Sequence, residues 1–145
     1  LTLWAAYVGQ GLARLSAMTH VLDSGGVSRL VADRALIAAL RQRELWPPEV
    51  PAVVLVECLT GDHRRDHAVN RLVSMCMVRP VDEPMARRAA ALRGRSGRAD
   101  EISAVDAVVV ALAERLDSAV VVTSDPRDIT RLAGQSPRAI RVLAV

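Results

Sequence analysis

The sequence predicts an α/β fold in which helices cover both faces of a parallel sheet. Three observations support this prediction. Segments with strand character alternate with segments of helical periodicity along most of the chain. Several strand segments are uninterrupted apolar runs, such as AVVV at 119–122, and such runs are typical of strands buried on both faces. The apolar fraction of 51% and the charged fraction of 24% are those of a chain that can bury a core.

The first predicted elements follow from local patterns. Residues 19–22 form a short apolar strand before an Asp-Ser-Gly-Gly turn, and apolar residues within 27–45 recur at the spacing of one or two helices. Residues 46–51, with the sequence WPPEVP, are predicted to be an irregular connection. The apolar run at 52–59 is interrupted by a single Glu, and its periodicity fits either a buried strand or a buried helix.

The alternation continues after Gly61, which ends the preceding run, and Asp62 is a suitable N-cap for the next helix. The remaining predicted elements are a helix ending at 75, a strand at 78–81, a helix at 82–92, a basic loop at 93–98, a helix at 103–116, a strand at 119–122, a helix ending at 132 and a strand at 140–145. Neither an internal repeat nor a second domain is evident in the sequence.

The composition excludes several enzyme classes. All 19 residues of the Lys+Arg group are Arg. P-loop NTPases and enzymes that form a Schiff base on lysine are therefore excluded. The net charge of +3 permits nucleic acid as a partner without requiring it.

Cysteine and histidine offer no convincing metal site. Cys58 and Cys76 form no C-x-x-C pair and are too few for a four-ligand zinc site, so we interpret them as core residues in a reducing cytosol. His63 and His67 are spaced i, i+4 on a predicted helix. The charged residues between them indicate a solvated helical face rather than a metal site.

Residues 1–17 are expected to be an N-terminal appendage or upstream extension, and residues 18–145 a single domain. The segment before Met18 is apolar, but Gly9 and Gly11 interrupt it well short of the length of a membrane span. It also lacks the basic region with which a signal peptide begins. We therefore expect a cytoplasmic protein without membrane association.

Four carboxylates are candidate functional residues. Asp23 and Asp125 each follow a predicted strand, and the ligands of parallel sheets bind beyond the carboxyl ends of the strands. Glu57 and Asp106 lie within the apolar segments VVLVECL and ISAVDAVVVALA. Carboxylates gathered at one sheet edge would repel one another and raise their pKa values unless cations are present. A site of oxygen donors alone favours Mg²⁺ or Mn²⁺ over Zn²⁺.

Each carboxylate also has a structural interpretation. Asp125 precedes a proline and is therefore a good N-cap. Asp106 fits a capping box with Ser103, and Asp23 could cap the helix that follows it. Glu57 is explained least well in this way, because burying a carboxylate among Val and Leu is costly unless it has a partner. Capping and metal binding are compatible, since a cap residue stands at the edge where ligands bind.

The segments VLDSGG, VVLVECLTG, SAVDAVVVALAE and VVVTSDPRDI occur in an order and spacing that resembles PIN-domain proteins, specifically the VapC-like ribonuclease toxins of VapBC toxin–antitoxin systems. The likeness extends from about Met18 to Val145. It implies a PIN-like three-layer α/β/α sandwich with a short, mostly parallel central sheet, in which the run at 52–59 is a helix. The residues to which it assigns functions are the catalytic carboxylates Asp23, Glu57, Asp106 and Asp125, of which Asp23, Asp106 and Asp125 hold Mg²⁺ or Mn²⁺, and the supporting residues Ser24, Thr123 and Ser124.

The sequence departs from the family pattern at two places. Ser-Gly-Gly follows Asp23, where Thr-Ser or Ala-Ser/Gly is commoner. Ser103 stands where many relatives carry a further acid, three positions before the third Asp, and Asp100 and Glu101 lie slightly upstream. Whether one of these residues replaces a fifth carboxylate is left open by the sequence.

The resemblance implies a metal-dependent endoribonuclease, the toxin of a type II toxin–antitoxin pair, that hydrolyses structured RNA such as tRNA or rRNA. It also implies a homodimer, which a small antitoxin inhibits by placing an Arg or Lys against the carboxylates. Because aromatic side chains are scarce, RNA binding is expected to depend on arginines, with Arg93, Arg95 and Arg98 of the basic loop as candidates.

Two alternative functions stay open. A degenerate, non-catalytic PIN module would bind a partner or nucleic acid without cleaving it. An RNase H-like nuclease also uses an acidic quartet, but that fold begins with antiparallel strands. This chain alternates strands and helices from its first Asp.

Overall fold

The computed structural model of the protein describes residues 18–42 and 46–145. The predicted appendage at 1–17, and residues 43–45 of the predicted helical segment, lie outside the described residues. The elements of the first half are the strands β1 (Thr19–Leu22) and β2 (Glu49–Pro51) and the helices α1 (Ser24–Ala32), α2 (Arg34–Gln42), α3 (Val54–Cys58) and α4 (His63–Val73). Those of the second half are the strands β3 (Met77–Arg79), β4 (Ala119–Thr123) and β5 (Ile140–Ala144) and the helices α5 (Glu83–Arg95), α6 (Ala104–Glu114) and α7 (Pro126–Ala133).

The predicted α/β fold with a parallel sheet is confirmed. The five described strands form one sheet in the order β3-β2-β1-β4-β5, and every pair of neighbours is parallel. Because crossovers between parallel strands are right-handed, α1–α4 lie on one face of the sheet and α5–α7 on the other. The parallel sheet is incompatible with the antiparallel start of an RNase H-like fold. Among the described residues, no helix has the length and apolar character needed to cross a membrane.

The register of β1 against β4 determines which residues meet at the carboxyl edge of the sheet. Thr19 pairs with Ala119, and Leu22 pairs with Val122. Asp23 and the last residue of β4 are therefore neighbours. The predicted site begins at this point.

The centre of the core is formed by β4 and α6. Every residue of β4 is buried, as is every residue from Ala107 to Ala113. A helix that is apolar all round is suited to a position covered on every side. This explains why the segment at 103–116 is so apolar. Each fully buried Val or Leu contributes on the order of 1.5–3 kcal/mol to stability.

The prediction of an irregular connection at 46–51 is wrong over its last three residues, which form β2. Val50 is buried and pairs with Val78 of β3. The carboxylate of the buried Glu49 accepts a hydrogen bond from Arg79, with Nε and Oε1 2.6 Å apart. The strand is too short and too rich in proline to show a period of two in the sequence. It forms because β1 and β3 supply hydrogen-bonding partners on both sides.

The structure also decides the conformation of two other segments, 52–59 and 93–98. The run at 52–59 contains helix α3, as the family resemblance implies. The predicted basic loop at 93–98 is wrong in its first half, because α5 continues to Arg95 and ends at the C-cap Ser96. Gly97 then adopts a φ of 72°, a left-handed conformation that favours glycine and turns the chain away from the helix.

Helix α1 approaches the end of β4 so closely that only glycine fits between them. A Cβ atom on Gly26 would lie 2.4 Å from the carbonyl oxygen of Val122, and one on Gly25 would lie 2.0 Å from the Oγ of Ser124. The Val122 carbonyl belongs to the sheet and cannot move aside without disturbing it. The predicted turn at Asp-Ser-Gly-Gly is wrong after Asp23, because Ser24, Gly25 and Gly26 already belong to α1, where the two glycines have a packing role.

We expect Gly26→Ala to lower the free energy of unfolding by about 2 kcal/mol or more, because the new methyl group overlaps a backbone oxygen. Gly94, in α5, is the matched control, since a Cβ there meets nothing within 4 Å. Gly94→Ala should raise stability by about 0.5–1 kcal/mol through helix propensity. Denaturant unfolding of both variants measures the difference. A Gly26→Ala protein as stable as the wild type would contradict the close approach of α1 to β4.

A histidine is buried in the central strand. His20 of β1 is 1% exposed, and burial lowers its pKa to about 4. In the unfolded chain its pKa returns to about 6.5. The unfolded state therefore binds more protons between these values, so His20 makes the protein less stable as the pH falls from about 6.5 to about 4.

We expect a His20→Leu variant not to lose stability in this way as the pH falls, because it lacks the imidazole. The difference in unfolding free energy between wild type and variant should shift by about 3 kcal/mol between pH 7 and pH 4, from a pKa change of about 2.5 units at 1.36 kcal/mol each. The control is Thr130→Val on the exposed side of α7, which removes no titratable group, so its difference from wild type should not vary with pH. Equal pH dependence in His20→Leu and wild type would show that His20 is not the group that titrates.

Candidate active site

The four predicted carboxylates lie near one another beyond the carboxyl ends of β1 and β4. Asp23 directly follows β1, Asp125 follows β4 by two residues, and Asp106 stands in the first turn of α6. Burial raises the pKa of Asp106 to about 6, and further increases come from the charges of four nearby carboxylates, Asp23, Glu57, Asp128 and Asp125. The predicted quartet therefore shares one electrostatic environment.

Asp23 is both a helix cap and a buried member of this group. Its Oδ1 accepts a hydrogen bond from the Gly26 N–H at 2.8 Å, which caps α1. Burial raises its pKa above the ordinary value; hydrogen bonds from Thr123, Gly26 and Gly25 lower it in part, and the charge of Asp125 raises it. The capping interpretation of Asp23 is thus confirmed. The same cap fixes the carboxylate at the sheet edge.

Thr123 connects two of the predicted residues. Its side chain is completely buried. The hydroxyl forms a hydrogen bond with the Asp23 carboxylate and accepts one from the Asp125 N–H, with N and Oγ1 3.0 Å apart. One buried hydroxyl therefore sets the position of Asp23 relative to the start of α7.

The carboxylates of Asp106 and Asp125 accept no hydrogen bond from any residue that the structure describes. Ser103 caps α6, with its Oγ accepting from Val105 N at 3.1 Å and Asp106 N at 3.5 Å. The Asp106 carboxylate does not return the second bond of a capping box. Asp125 occupies the N-cap position of α7, but its side chain makes no capping bond. The capping interpretation of Asp125 is therefore right about its position before Pro126 and wrong about a side-chain bond, and that of Asp106 is half right.

Glu57 faces solvent rather than the core. Helix α3 buries Val54 and exposes Glu57. The Glu57 carboxylate is therefore not desolvated, and the expected cost of burying it without a partner does not arise. Glu57 borders a cleft of about 520 Å³ that opens beside the carboxylates. The residues that line this cleft are Ser24, Gly25, Ser28, Arg29, Glu57, Ser124 and Val145. The predicted supporting residues Ser24 and Ser124 thus border the same space as Glu57.

A fifth carboxylate near Asp106 is Asp128, which sequence reasoning missed. It lies on α7, and its charge raises the pKa of Asp106. Of the two acids considered upstream, Glu101 is held by Arg98 at 2.7 Å, and Asp100 is exposed. Its spacing three residues after Asp125 gives the helical face of Asp128, but that spacing does not show that Asp106 lies nearby.

The predicted RNA-binding arginines have different environments. Arg93 donates from Nε to the carbonyl oxygen of Ile102 at 2.7 Å, which ties the end of α5 to the segment before α6. Arg98 is paired with Glu101. Arg95 is exposed and borders a separate groove between α5 and the segment after α7. Two of the three candidates therefore have partners within the chain, and the Arg98–Glu101 pair lies at the surface.

The donor chemistry of the site fits a hard divalent cation, although the ligands are not gathered into a closed set. Within residues 18–42 and 46–145, no three carboxylate, imidazole or thiol groups form a ready-made metal-ligand cluster. Asp23, Asp106 and Asp125 nevertheless present oxygen donors alone, which Mg²⁺ and Mn²⁺ prefer. Repulsion of the kind that raises the pKa of Asp106 is relieved by a cation. His63 and His67 are exposed on α4, as predicted.

Comparison with known proteins points to one family. The PIN domain profile matches residues 21–135. A chain of DNA-bound VapBC from Salmonella typhimurium is similar in structure, with a TM-score of 0.67 and 17% identity over 88% of this chain and 98% of that chain. VapBC-1 from nontypeable Haemophilus influenzae gives 0.63 at 17% identity over 88% and 98%. FitAcB from Neisseria gonorrhoeae gives 0.57 at 19% identity over 86% and 96%. No curated protein matches this sequence.

We expect Thr123→Val to destabilise the protein by about 1–3 kcal/mol, because at nearly constant volume it removes the buried hydroxyl that accepts from the Asp125 N–H and bonds to the Asp23 carboxylate. Thr130→Val, on the exposed side of α7, is the matched control and should change stability by less than about 0.5 kcal/mol. Denaturant unfolding distinguishes the two variants. Equal stability of Thr123→Val and Thr130→Val would show that the hydroxyl does not connect the two acids.

Proposed function

The chain belongs to the PIN-domain family, and on that basis we propose that it is a Mg²⁺- or Mn²⁺-dependent endoribonuclease, the toxin of a type II toxin–antitoxin pair. The observation that carries this proposal is the environment of Asp106, a half-buried carboxylate surrounded by the charges of other acids. Such repulsion destabilises a folded protein unless a cation offsets it. A cation held at this site would act on a phosphodiester.

The residues of the chain have distinct parts in this proposal. Asp106 and Asp125 have carboxylates without hydrogen bonds in the described structure, and Asp23 is held in place by its cap and by Thr123. These three residues would hold the cation. When bound, a divalent cation supplies positive charge that offsets the carboxylates and stabilises the charge that develops on the phosphate. Glu57, which is exposed and lines the cleft, would hold a second ion or a bridging water molecule.

The proposed substrate is structured RNA such as tRNA or rRNA. The cleft beside the acids is lined by serines and charged groups. Trp46 is the single aromatic side chain in the described part of the chain. Stacking on single-stranded bases, which requires aromatic platforms, is therefore a poor basis for recognition. Contacts with the RNA backbone fit the site better.

The proposed partners are a small antitoxin and a second copy of the chain. The similar solved structures are VapBC and FitAcB complexes. We infer that this protein acts in the cytoplasm and is inhibited by an antitoxin that presents an Arg or Lys to the carboxylates. The competing function is a non-catalytic PIN module, which the open arrangement of the acids also permits.

We expect Asp23→Asn and Asp106→Asn each to reduce cleavage of bulk tRNA and rRNA in Mg²⁺ by at least about 100-fold, because each removes a proposed metal ligand. Chelation by EDTA should abolish wild-type cleavage. Asp100→Asn is the matched control, since Asp100 is exposed and lies outside the proposed ligand set. The readouts are gel-based cleavage and mapping of the new RNA 5′ ends, with thermal unfolding to verify that each variant is folded.

Two results would contradict the proposal. If both folded variants cleave like wild type, these acids are not the catalytic ones. If wild type binds tRNA but does not cleave it in Mg²⁺ or Mn²⁺, the non-catalytic module is the correct function.

A further inference from the structure

Arg29 is the cationic residue that borders the cleft beside the acids, among the residues described. It lies on α1 one helical turn after Gly25, the residue packed against Ser124. The packing of α1 on β4 therefore also fixes where the Arg29 side chain begins. Arg29 lines the same space as Glu57, Ser24 and Ser124, and its side chain is 35% exposed.

The hydrogen-bonding capacity of Arg29 is not used within the described structure. Its Nε is buried and makes no hydrogen bond. One terminal nitrogen lies 3.6 Å from Oδ2 of Asp33, which is an ion pair beyond hydrogen-bond length. A guanidinium carries five N–H donors, and burying one without an acceptor is unfavourable.

Two other arginines of this chain, Arg88 and Arg115, have carboxylate partners at hydrogen-bond distance. Arg88 makes two hydrogen bonds to Glu114, with Nε–Oε2 and Nη2–Oε1 distances of 2.5 and 2.6 Å. Arg115 makes two to Asp82, at 3.1 and 2.7 Å. Arg88 and Arg115 thus each have a carboxylate that accepts two hydrogen bonds. Arg29 has no such carboxylate among the described residues, although Glu57 lines the same cleft.

The open acceptor position next to Arg29 suits a phosphodiester. Two non-bridging phosphate oxygens match the fork of a guanidinium, which makes the pair bidentate. A backbone phosphate entering the cleft also meets the negative field of the carboxylates. A fixed positive charge on the cleft wall offsets that repulsion.

We propose that Arg29 binds a backbone phosphate of the RNA in the cleft beside the acids, with Asp33 as the residue that positions its side chain. This assignment rests on the proposed ribonuclease function and adds a substrate-binding residue to it. Asp33 is suited to its part because its Oδ1 caps α2 by accepting from the Leu36 N–H at 2.9 Å. Because Oδ1 makes this cap, Oδ2 is the Asp33 oxygen that pairs with Arg29.

The test compares Arg29→Gln and Arg29→Lys with Arg87→Gln. Arg87 is the matched control because it forms the same kind of i, i+4 ion pair, with Glu83 at 3.1 Å, on the exposed surface of α5. KM and kcat are measured on bulk tRNA in Mg²⁺. Binding of tRNA is measured in the Asp106→Asn background over a range of salt concentrations, so that the RNA is not consumed.

Arg29→Gln is expected to raise KM and the Kd for tRNA about 10-fold or more, with a smaller change in kcat. A plot of the logarithm of the tRNA association constant against the logarithm of the salt concentration has a negative slope. Its magnitude should decrease by about 0.7–0.9, which corresponds to the loss of one phosphate contact. Arg29→Lys keeps the charge but not the fork, so it should retain the slope and recover only part of the affinity. Arg87→Gln should match the wild type in KM. A purely structural role for Arg29 would change thermal stability without changing the salt slope.

The outcomes separate this inference from the proposed function. If wild type cleaves tRNA and Arg29→Gln has the KM and salt slope of Arg87→Gln, the Arg29 assignment is wrong and the ribonuclease function stands. If Arg29→Gln does not fold, a folded Arg29→Lys with wild-type KM has the same consequence. If wild type neither binds nor cleaves tRNA, the proposed function is wrong, and the Arg29 assignment with it.

Discussion

The structure depends on the contact between helix α1 and the end of strand β4. Glycine at positions 25 and 26 lets the helix backbone approach the Val122 carbonyl and Ser124 without a side chain between them. The same short segment carries the Asp23 cap, and Asp23 is hydrogen-bonded to Thr123 at the end of the neighbouring strand. One packing contact therefore sets the first acid, the orientation of α1 and the wall of the cleft.

Charges are arranged differently at the two ends of α6. Near its C-terminus Glu114 is satisfied by Arg88 and by the Ser136 hydroxyl. Near its N-terminus Asp106 has no cationic partner among the described residues and is surrounded by other acids, so its pKa rises to about 6. The paired end stabilises the packing of α5 on α6. The unpaired end is unfavourable on its own, which is typical of a functional site supported by a stable fold.

The candidate site could be predicted in part. Asp23 and Asp125 are recognisable because each follows an apolar run that ends at a sheet edge, and Thr123 is found through the family resemblance. Asp128 and Arg29 could not be selected in this way, because helix spacing gives the face of a residue but not the element opposite that face. The three loop arginines were selected because they cluster in a basic segment that contains Gly94 and Gly97. Their actual partners depend on how α5 packs against the residues before α6.

The sequence by itself determined the alternation of strands and helices, the apolar character of β4 and α6, and the position of Asp23 directly after β1, since these depend on neighbours within a few residues. Tertiary structure alone decided that residues 49–51 form a strand, that Glu57 faces solvent, and that the Asp125 carboxylate makes no capping bond. Those outcomes depend on partners distant in sequence. Strand pairing and the summed field of several carboxylates exist only once the chain is folded.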